Sequence, residues 1–135
     1  MVSAQWVTVH LINRMSSDTL SIKNAILYDG KWYKDGNQDH EISYSDVNEK
    51  TAPPDGSVNV NSCGRSNAPS GTTGGFEIYD GETKIGNVHW DCPWGNRTNE
   101  FGVDEWNENY WVQIGSWSRV GGAIGTVDVE VGKKG

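Results

Sequence analysis

The sequence predicts an all-β protein, built as an antiparallel β-sandwich in a single domain. Short runs in which apolar and polar residues alternate recur along its length, and turn-forming pairs separate them. No segment shows the 3.6-residue period of an amphipathic helix. Because 135 residues is a usual size for one domain and no linker divides the chain, we expect one sandwich domain over residues 1–135.

Period-two alternation places the predicted strands. The first run, "QWVTVHLI", has Val7, Val9 and Leu11 on one face, which we expect to be buried, while the intervening side chains point the other way. The same pattern of half-buried strands returns in later segments. The predicted strands occupy residues 5–12, 21–28, 57–61, 75–80, 83–90, 100–106, 109–117 and 125–131.

Asp-Gly pairs indicate where the chain turns, because both residues tolerate the positive φ that tight hairpins require. They occur at 29–30, 35–36, 55–56 and 80–81. The pairs at 29–30 and 80–81 lie between alternating runs, in "ILYDGKWY" and "EIYDGETKI". We therefore expect a β-hairpin at each of these positions, and we expect no helix between the strands.

The charge of the chain narrows the range of partners. The formal net charge is −7, with 18 acidic and 11 basic residues. Nucleic acids and anionic membranes bind basic surfaces, so we expect no nucleic-acid partner. A neutral or zwitterionic partner is compatible with the charge.

The N-terminal segment gives an expectation about whether the protein is secreted. No stretch of the chain is apolar over the roughly eighteen residues of a spanning helix. The segment "MVSAQWVTVHLINRM" lacks a basic region, a long apolar run and a clear cleavage site, so it is interpreted as a strand and not as a signal peptide. The expectation is a protein that is secreted without a conventional signal peptide, or that stays cytoplasmic until release.

Motifs that carry catalysis do not occur in the sequence. The segment "GRSNAPSGTTGG" lacks the Gly-Lys-Ser/Thr ending of a phosphate-binding loop, and there is no Gly-x-Ser-x-Gly motif. The histidines His10, His40 and His89 lie far apart and show no metal-ligand spacing. Acidic residues are numerous enough to include a glycosidase pair, but the sequence does not pair them. We predict no enzyme, no catalytic residue, no metal and no cofactor.

The two cysteines, Cys63 and Cys92, have two interpretations. They can form a disulfide in an oxidising compartment. Without a predicted leader, two reduced and buried thiols are the favoured interpretation.

Tryptophan and tyrosine are the most informative residues, with 7 and 5 copies respectively. Trp90 lies inside a strand pattern, where the favoured interpretation is a core residue. Trp32 and Trp94 lie beside turn residues, so burial and exposure both stay open. Exposed aromatic rings suit a membrane interface or the apolar face of a sugar. The residues alone therefore leave two classes open, a membrane-binding protein and a soluble carbohydrate-binding lectin.

Several segments together resemble the aegerolysin family. They are the opening "AQWV", then "CGRS" with "GTTG" shortly after it, then "WDCPWG" followed by "TN", and the closing "GAIGTV" with "KKG". These segments occur in the family's order and span nearly the whole chain. The resemblance implies a small acidic β-sandwich with a fold similar to that of actinoporins.

The resemblance also implies a function. Aegerolysins bind membranes that contain particular sphingolipids, such as ceramide phosphoethanolamine or sphingomyelin with cholesterol. Many are the lipid-recognising half of a two-component toxin, whose other half is a pore-forming protein with a perforin domain. We therefore expect a protein that lies peripherally on its target membrane and does not perforate it alone.

Site residues follow from the family's motifs. The motif tryptophan corresponds to Trp94, and the basic residue of the lipid-headgroup site corresponds to Arg97. Ser70 replaces a glutamate that well-known members carry before "GTTG", and Asp29 replaces a tryptophan, so we expect a different lipid preference. The full set of candidate lipid-binding residues is Tyr28, Asp29, Trp32, Ser70, Trp90, Trp94 and Arg97.

Overall fold

The structure is a computed structural model, and residues 3–135 of it are described here. The predicted domain also includes residues 1 and 2, which lie outside the described residues. The elements in chain order are β1 (Trp6–Asn13), β2 (Leu20–Asp29), β3 (Lys31–Lys34), β4 (Asn37–Ile42), α1 (Tyr44–Asn48), β5 (Thr51–Ala52), β6 (Ser57–Cys63), β7 (Thr72–Asp80), β8 (Thr83–Cys92), β9 (Glu100–Asp104), β10 (Tyr110–Ile114) and β11 (Gly125–Lys133).

Two sheets form the predicted sandwich. One has six strands in the order β10-β11-β1-β6-β3-β4, and the other has five in the order β5-β2-β7-β8-β9. The paired strands are antiparallel except β1 and β11, which run parallel in the register Val7↔Gly125 to Asn13↔Val131. Nearly the whole chain separates β1 from β11, so no short turn forces these strands to run in opposite directions.

The core lies between the sheets, and it confirms the period-two prediction. Val7, Val9 and Leu11 of β1 are fully buried, while the side chains between them are more exposed. Alternate residues of the other strands complete the core, since each strand turns one face inward. Those from β11 and β8 include Val127, Val129, Val131, Val88 and Trp90.

The expectation of no helix was wrong for α1. Ser43 caps this short helix, because its hydroxyl accepts from the Asp46 N–H at 3.1 Å while the Asp46 carboxylate accepts from the Ser43 N–H at 3.0 Å. Val47 is the only fully buried residue of the helix. A helix with one buried residue leaves no 3.6-residue pattern, so its capping residues were the available signal.

The Asp-Gly pairs form different kinds of turn. The pair at 80–81 joins β7 to β8 in a hairpin, as predicted. The hairpin predicted at 29–30 is wrong, because β2 and β3 belong to different sheets and this turn carries the chain between them. The pair at 35–36 forms the hairpin between β3 and β4 instead.

Candidate functional site at the loop end

Several connections meet at one end of the sandwich, which we call the loop end. They are residues 29–30, 64–71, 93–99 and 115–124. Strand pairing brings them together, since the start of β7 pairs with the end of β8 and Thr98 forms a bridge with Val120. The residues from the family's motifs therefore converge at this end.

Glycines let these connections pack backbone against backbone. A Cβ on Gly30 would lie 2.6 Å from the Cys63 carbonyl oxygen, and Gly30 has a φ of +93°. A side chain on Gly71 would collide with the backbone of Cys92 and Trp94. Because backbone atoms cannot move aside as flexible side chains do, a larger residue at Gly30 or Gly71 would force these connections apart.

The loop 93–99 presents Trp94 and Arg97 to solvent. Trp94 is 57% exposed, and Gly95 follows it with a φ of +89°, which lets the chain turn sharply. The base of the loop is held by Asn99, whose Nδ2 donates to the carbonyl oxygens of Ser118 and Gly122 at 3.1 and 3.2 Å. The exposed side chains thus stand on a loop with an anchored backbone.

Arg97 is the cation available to a ligand at the loop end. Its guanidinium makes no hydrogen bond or ion pair within residues 3–135. The neighbouring arginines are engaged: Arg65 binds Glu41 through two hydrogen bonds, and Arg119 lies 4.3 Å from the Trp117 ring centroid. Among the three arginines of the loop end, Arg97 is therefore the one that can pair with a ligand phosphate without losing a partner in the described part of the chain.

A shallow cleft of about 600 Å³ opens beside this guanidinium. Arg97 supplies a positive charge to its lining, and Asp91 and Glu100 supply negative charges. Asp91 is held in place by the Thr73 hydroxyl, which donates to Oδ1 at 2.9 Å. A cleft with both signs of charge suits a zwitterionic group better than a simple anion.

Ser70 and Asp29 lie together next to this loop. The Ser70 hydroxyl donates to Asp29 Oδ1 at 3.0 Å and to the Gly71 carbonyl oxygen at 3.1 Å. Ser70 is buried, whereas Asp29 is exposed and its neighbour Tyr28 is 76% exposed. Asp29 therefore forms an exposed rim beside Ser70, whereas Tyr28 lines a separate pocket with Gly74 and His89.

Trp32 and Trp90, also predicted as site residues, lie in the core, so neither ring is exposed for direct contact with a ligand. Each is 2% exposed, and their rings meet edge to face with centroids 5.8 Å apart. Trp90 Nε1 donates to the Thr72 hydroxyl at 3.1 Å, which in turn pairs with the Ser62 hydroxyl at 2.6 Å. These rings support the loop end from beneath.

Val120 is an exposed residue of the loop end that the sequence analysis missed. It is 80% exposed and lies beside Thr98 through their backbone bridge. The segment "SRVGG" offered a signal, because a lone apolar residue next to a glycine pair belongs to no strand pattern. Val120 adds apolar surface to the loop end.

Both cysteines are free and buried. Burial is the main cause that raises the pKa of both thiols, and it raises the pKa of Cys63 to about 11. The reactive form of cysteine is the thiolate, so neither side chain is placed for nucleophilic chemistry. Within residues 3–135 no three metal-ligating side chains converge, and no helix there has the length and apolarity to cross a membrane.

Comparisons with known proteins agree with the fold. The model of the aegerolysin family matches residues 4–134. Asp-hemolysin of Aspergillus fumigatus is 74% identical over 131 residues, covering 97% of this chain and 94% of that protein. Aegerolysin Aa-Pri1 of Cyclocybe aegerita is 41% identical, covering 98% and 92%. The crystal structure of the RahU protein in complex with a TRIS molecule superposes with a TM-score of 0.94 at 35% identity, covering 99% and 98%.

Proposed function

Because this chain belongs to the aegerolysin family, we propose that it binds membrane sphingolipids through its loop end. The preferred lipids have zwitterionic headgroups of the ceramide phosphoethanolamine or sphingomyelin/cholesterol type. In this proposal the chain has no catalytic role and is the lipid-recognising component of a two-component cytolysin.

The observation that carries the proposal is the pair Trp94 and Arg97 on one anchored loop. An indole ring that is 57% exposed loses apolar contact with water when it enters the headgroup layer. A guanidinium without a partner can bind a phosphate through two parallel hydrogen bonds. The Trp94 ring thus suits the apolar part of a membrane interface, and the Arg97 guanidinium suits the phosphate of a headgroup.

The charges around Arg97 favour a zwitterion. Phosphoethanolamine and phosphocholine each join an anionic phosphate to a cationic amine. Arg97 suits the phosphate, and the carboxylates of Asp91 and Glu100 in the same cleft suit the amine. An acidic chain of net charge −7 also avoids general attraction to anionic lipids.

Ser70 and Asp29 determine the choice among such lipids. The Ser70 hydroxyl is bound to Asp29, so the only acidic group of this pair stands at the exposed rim. A relative with glutamate at the serine position would carry its acid deeper in the site. We therefore infer a lipid preference unlike that of the glutamate-bearing members.

In this proposal a second protein, which carries a perforin domain, forms the pore that damages the membrane. Both sheets of this chain contribute to one core, and their strands cannot leave it without unfolding the protein. The name of the relative Asp-hemolysin supports a cytolytic context. The chain lies peripherally on the target membrane and recruits the partner there, after release from the cell that makes it.

The alternative of a lectin that uses the same aromatic residues has less support. Trp32 and Trp90 are buried, and Trp106 is exposed at the opposite end of the sandwich from Trp94. The exposed rings therefore do not all share one surface.

Co-sedimentation with liposomes tests the proposal. The panel contains ceramide phosphoethanolamine, sphingomyelin with cholesterol, and phosphatidylcholine alone. We expect binding to at least one sphingolipid and little to phosphatidylcholine. Equal binding to every vesicle, or to none, would contradict the proposal.

A further inference from the structure

A second pocket lies on the outer face of the six-stranded sheet, and we call it the sheet pocket. Its volume is about 520 Å³, within the range of ligand sites in proteins. The aromatic residues Trp6 and Tyr33 line it together with amide, hydroxyl and carboxylate side chains. None of the residues named at the loop end contributes to it.

The polar side chains of the sheet pocket are already held in place. Asn59 Nδ2 donates to both carboxylate oxygens of Asp35, at 3.1 and 3.2 Å. Asn61 Nδ2 donates to the same carboxylate at 3.3 Å, and its Oδ1 accepts from the Thr8 hydroxyl at 2.6 Å. Because Asn59, Asn61 and Thr8 stand on paired strands, a ligand meets an ordered surface and loses little affinity to ordering it.

Other polar groups of the sheet pocket remain available to a ligand. The side-chain Oδ1 of Asn59, the Thr126 hydroxyl and the Trp6 indole N–H make no hydrogen bond in the described part of the chain. In that order, they are a hydrogen-bond acceptor, a group that can both donate and accept, and a hydrogen-bond donor. Hydroxyl groups on a ligand can satisfy all three kinds.

The charges exclude several ligand classes. The described lining contains no lysine, arginine or histidine, while it contains Asp35 and Asp39. A phosphate, sulfate or carboxylate would find no counter-charge there. A wholly apolar ligand would remove water from the amides and give them no partner in return.

A sugar ring satisfies these conditions. A pyranose carries hydroxyl groups around its edge and an apolar face of C–H groups, which packs on an aromatic ring. Trp6 is half-buried and supplies most of the aromatic surface, because Tyr33 is only 5% exposed, and Asn59, Asp35 and Thr126 supply polar groups beside it. We propose that the sheet pocket binds a neutral hexopyranose.

The position of the pocket indicates where this sugar comes from. Trp6 and Thr126 lie at the starts of β1 and β11, next to the loop end. When the loop end rests on a membrane, the pocket lies beside the headgroup layer, within reach of a glycolipid sugar. A soluble glycan has the same chemistry, and the experiment separates the two sources.

Amide NMR spectra of the whole chain provide the first test. The probes are methyl glucoside, methyl galactoside, methyl mannoside and methyl N-acetylglucosaminide. We expect at least one to bind saturably in the millimolar range and to shift the signals of residues around the pocket. Asn59→Ala and Thr126→Val should each weaken this binding about tenfold or more. Two variants are used so that a folding defect in one does not decide the result.

Asn87→Ala is the matched control. Asn87 stands on the other sheet and its Nδ2 donates to a carboxylate oxygen of Glu105 at 2.8 Å, so it loses a bond like that of Asn59. It should bind the sugar as the wild type does, and so should Trp94→Ala. No saturable shift with any of the glycosides would overturn the proposal. Saturable shifts located at the loop end, or unchanged binding in Asn59→Ala and Thr126→Val, would also overturn it.

Phosphatidylcholine vesicles with and without glucosylceramide identify the source. For a glycolipid, glucosylceramide increases vesicle binding and Asn59→Ala abolishes the increase. For a soluble glycan, the glycoside binds in the NMR titration and glucosylceramide adds nothing. Either result supports the sheet pocket. Failure of sphingolipid binding would leave the glycoside titration unchanged, so the two proposals fail separately.

Discussion

Replacement of Trp94 by alanine separates membrane binding from folding. The side chain is 57% exposed, and a tryptophan can bury about 200 Å² of surface, so about 115 Å² remains for a membrane to cover. At about 25 cal/mol per Å², complete burial would contribute about 3 kcal/mol, or roughly 100-fold in the dissociation constant. A ring that enters only halfway contributes about half of that free energy, or roughly tenfold. We therefore expect Trp94→Ala to weaken liposome binding by about 10- to 100-fold.

Trp106→Ala is the control for this variant. Trp106 is 48% exposed, similar to Trp94, but it follows β9 at the opposite end of the sandwich. Both variants lose a partly exposed indole, and Trp106→Ala also loses the hydrogen bond from its Nε1 to the Val103 carbonyl oxygen, so its thermal unfolding temperature should fall at least as far. Co-sedimentation with sphingolipid liposomes, measured on the folded fraction, should distinguish them because only Trp94→Ala loses affinity.

Two results would refute this reasoning. One is equal loss of binding in both variants, which would mean that the ring at the loop end is not an anchor. The other is a Trp94→Ala protein that unfolds readily while its folded molecules bind normally, which would assign Trp94 to the core. Trp90→Ala shows how a core residue behaves: at 2% exposure it should cost about 3–5 kcal/mol of stability.

Further predictions concern the charges, the thiols and the membrane. Arg97→Gln should weaken liposome binding about tenfold with no change in melting temperature, because the guanidinium has no partner to lose within residues 3–135; an unchanged affinity would remove Arg97 from the site. Ser70→Glu should lower the melting temperature and shift the lipid profile, because its carboxylate would meet Asp29, whose Oδ1 is 3.0 Å from the Ser70 hydroxyl; adding Asp29→Asn should restore stability, and a lipid panel that stays unchanged would argue against a role in selectivity. Cys63 and Cys92 should react with a thiol reagent only after unfolding, and fast native reaction would show that they are accessible. Since burial raises the pKa of Cys63 from 9.0 to about 11, the folded state holds the proton more tightly, so its contribution to stability is complete below pH 9 and is lost as the pH rises towards 11; Cys63→Ala should flatten this dependence. The purified chain should bind sphingolipid liposomes without releasing a trapped dye, and efficient release without a partner would contradict the assignment of the pore to a second protein.

The strands that the sequence predicts well are those with one buried face. In β1 the fully buried residues Val7, Val9 and Leu11 alternate with polar or more exposed ones, so the apolar residues have a period of two although Thr8 is buried as well. The edge strand β4 (Asn37–Ile42) has no fully buried residue, and β5 has only two residues. Such segments leave no apolar pattern, because neighbouring strands and not their own side chains hold them.

The turn at Asp29 and Gly30 marks another limit of sequence analysis. Local residue types show that the chain can turn there, and Gly30 does adopt a positive φ. Whether the next strand joins the same sheet or crosses to the other depends on distant partners. Here β3 pairs with β6, so the turn becomes a crossing between sheets.

For the candidate site, the family's motifs identified Trp94, Arg97, Asp29 and Ser70, and the fold places all four at one end of the sandwich. They could not decide whether a tryptophan beside a turn is buried, since burial depends on what packs over it. Trp32 is covered by the opposite sheet, where it meets Trp90, whereas Trp94 stands on a loop that nothing covers fully.

The parallel pairing of β1 with β11 decides how the protein can be attached to a surface. Gln5 lies at the loop end, where its carbonyl oxygen accepts from the Gly64 N–H at 2.9 Å. Lys134 lies at the far end, where its N–H donates to the Asn109 carbonyl oxygen at 2.9 Å. With the loop end on a bilayer, as proposed, a tether or fluorescent reporter on the C-terminal side points away from the membrane, while one on the N-terminal side lies beside the loop end. A sensor chip coated through the C-terminal side should then capture vesicles better than one coated through the N-terminal side.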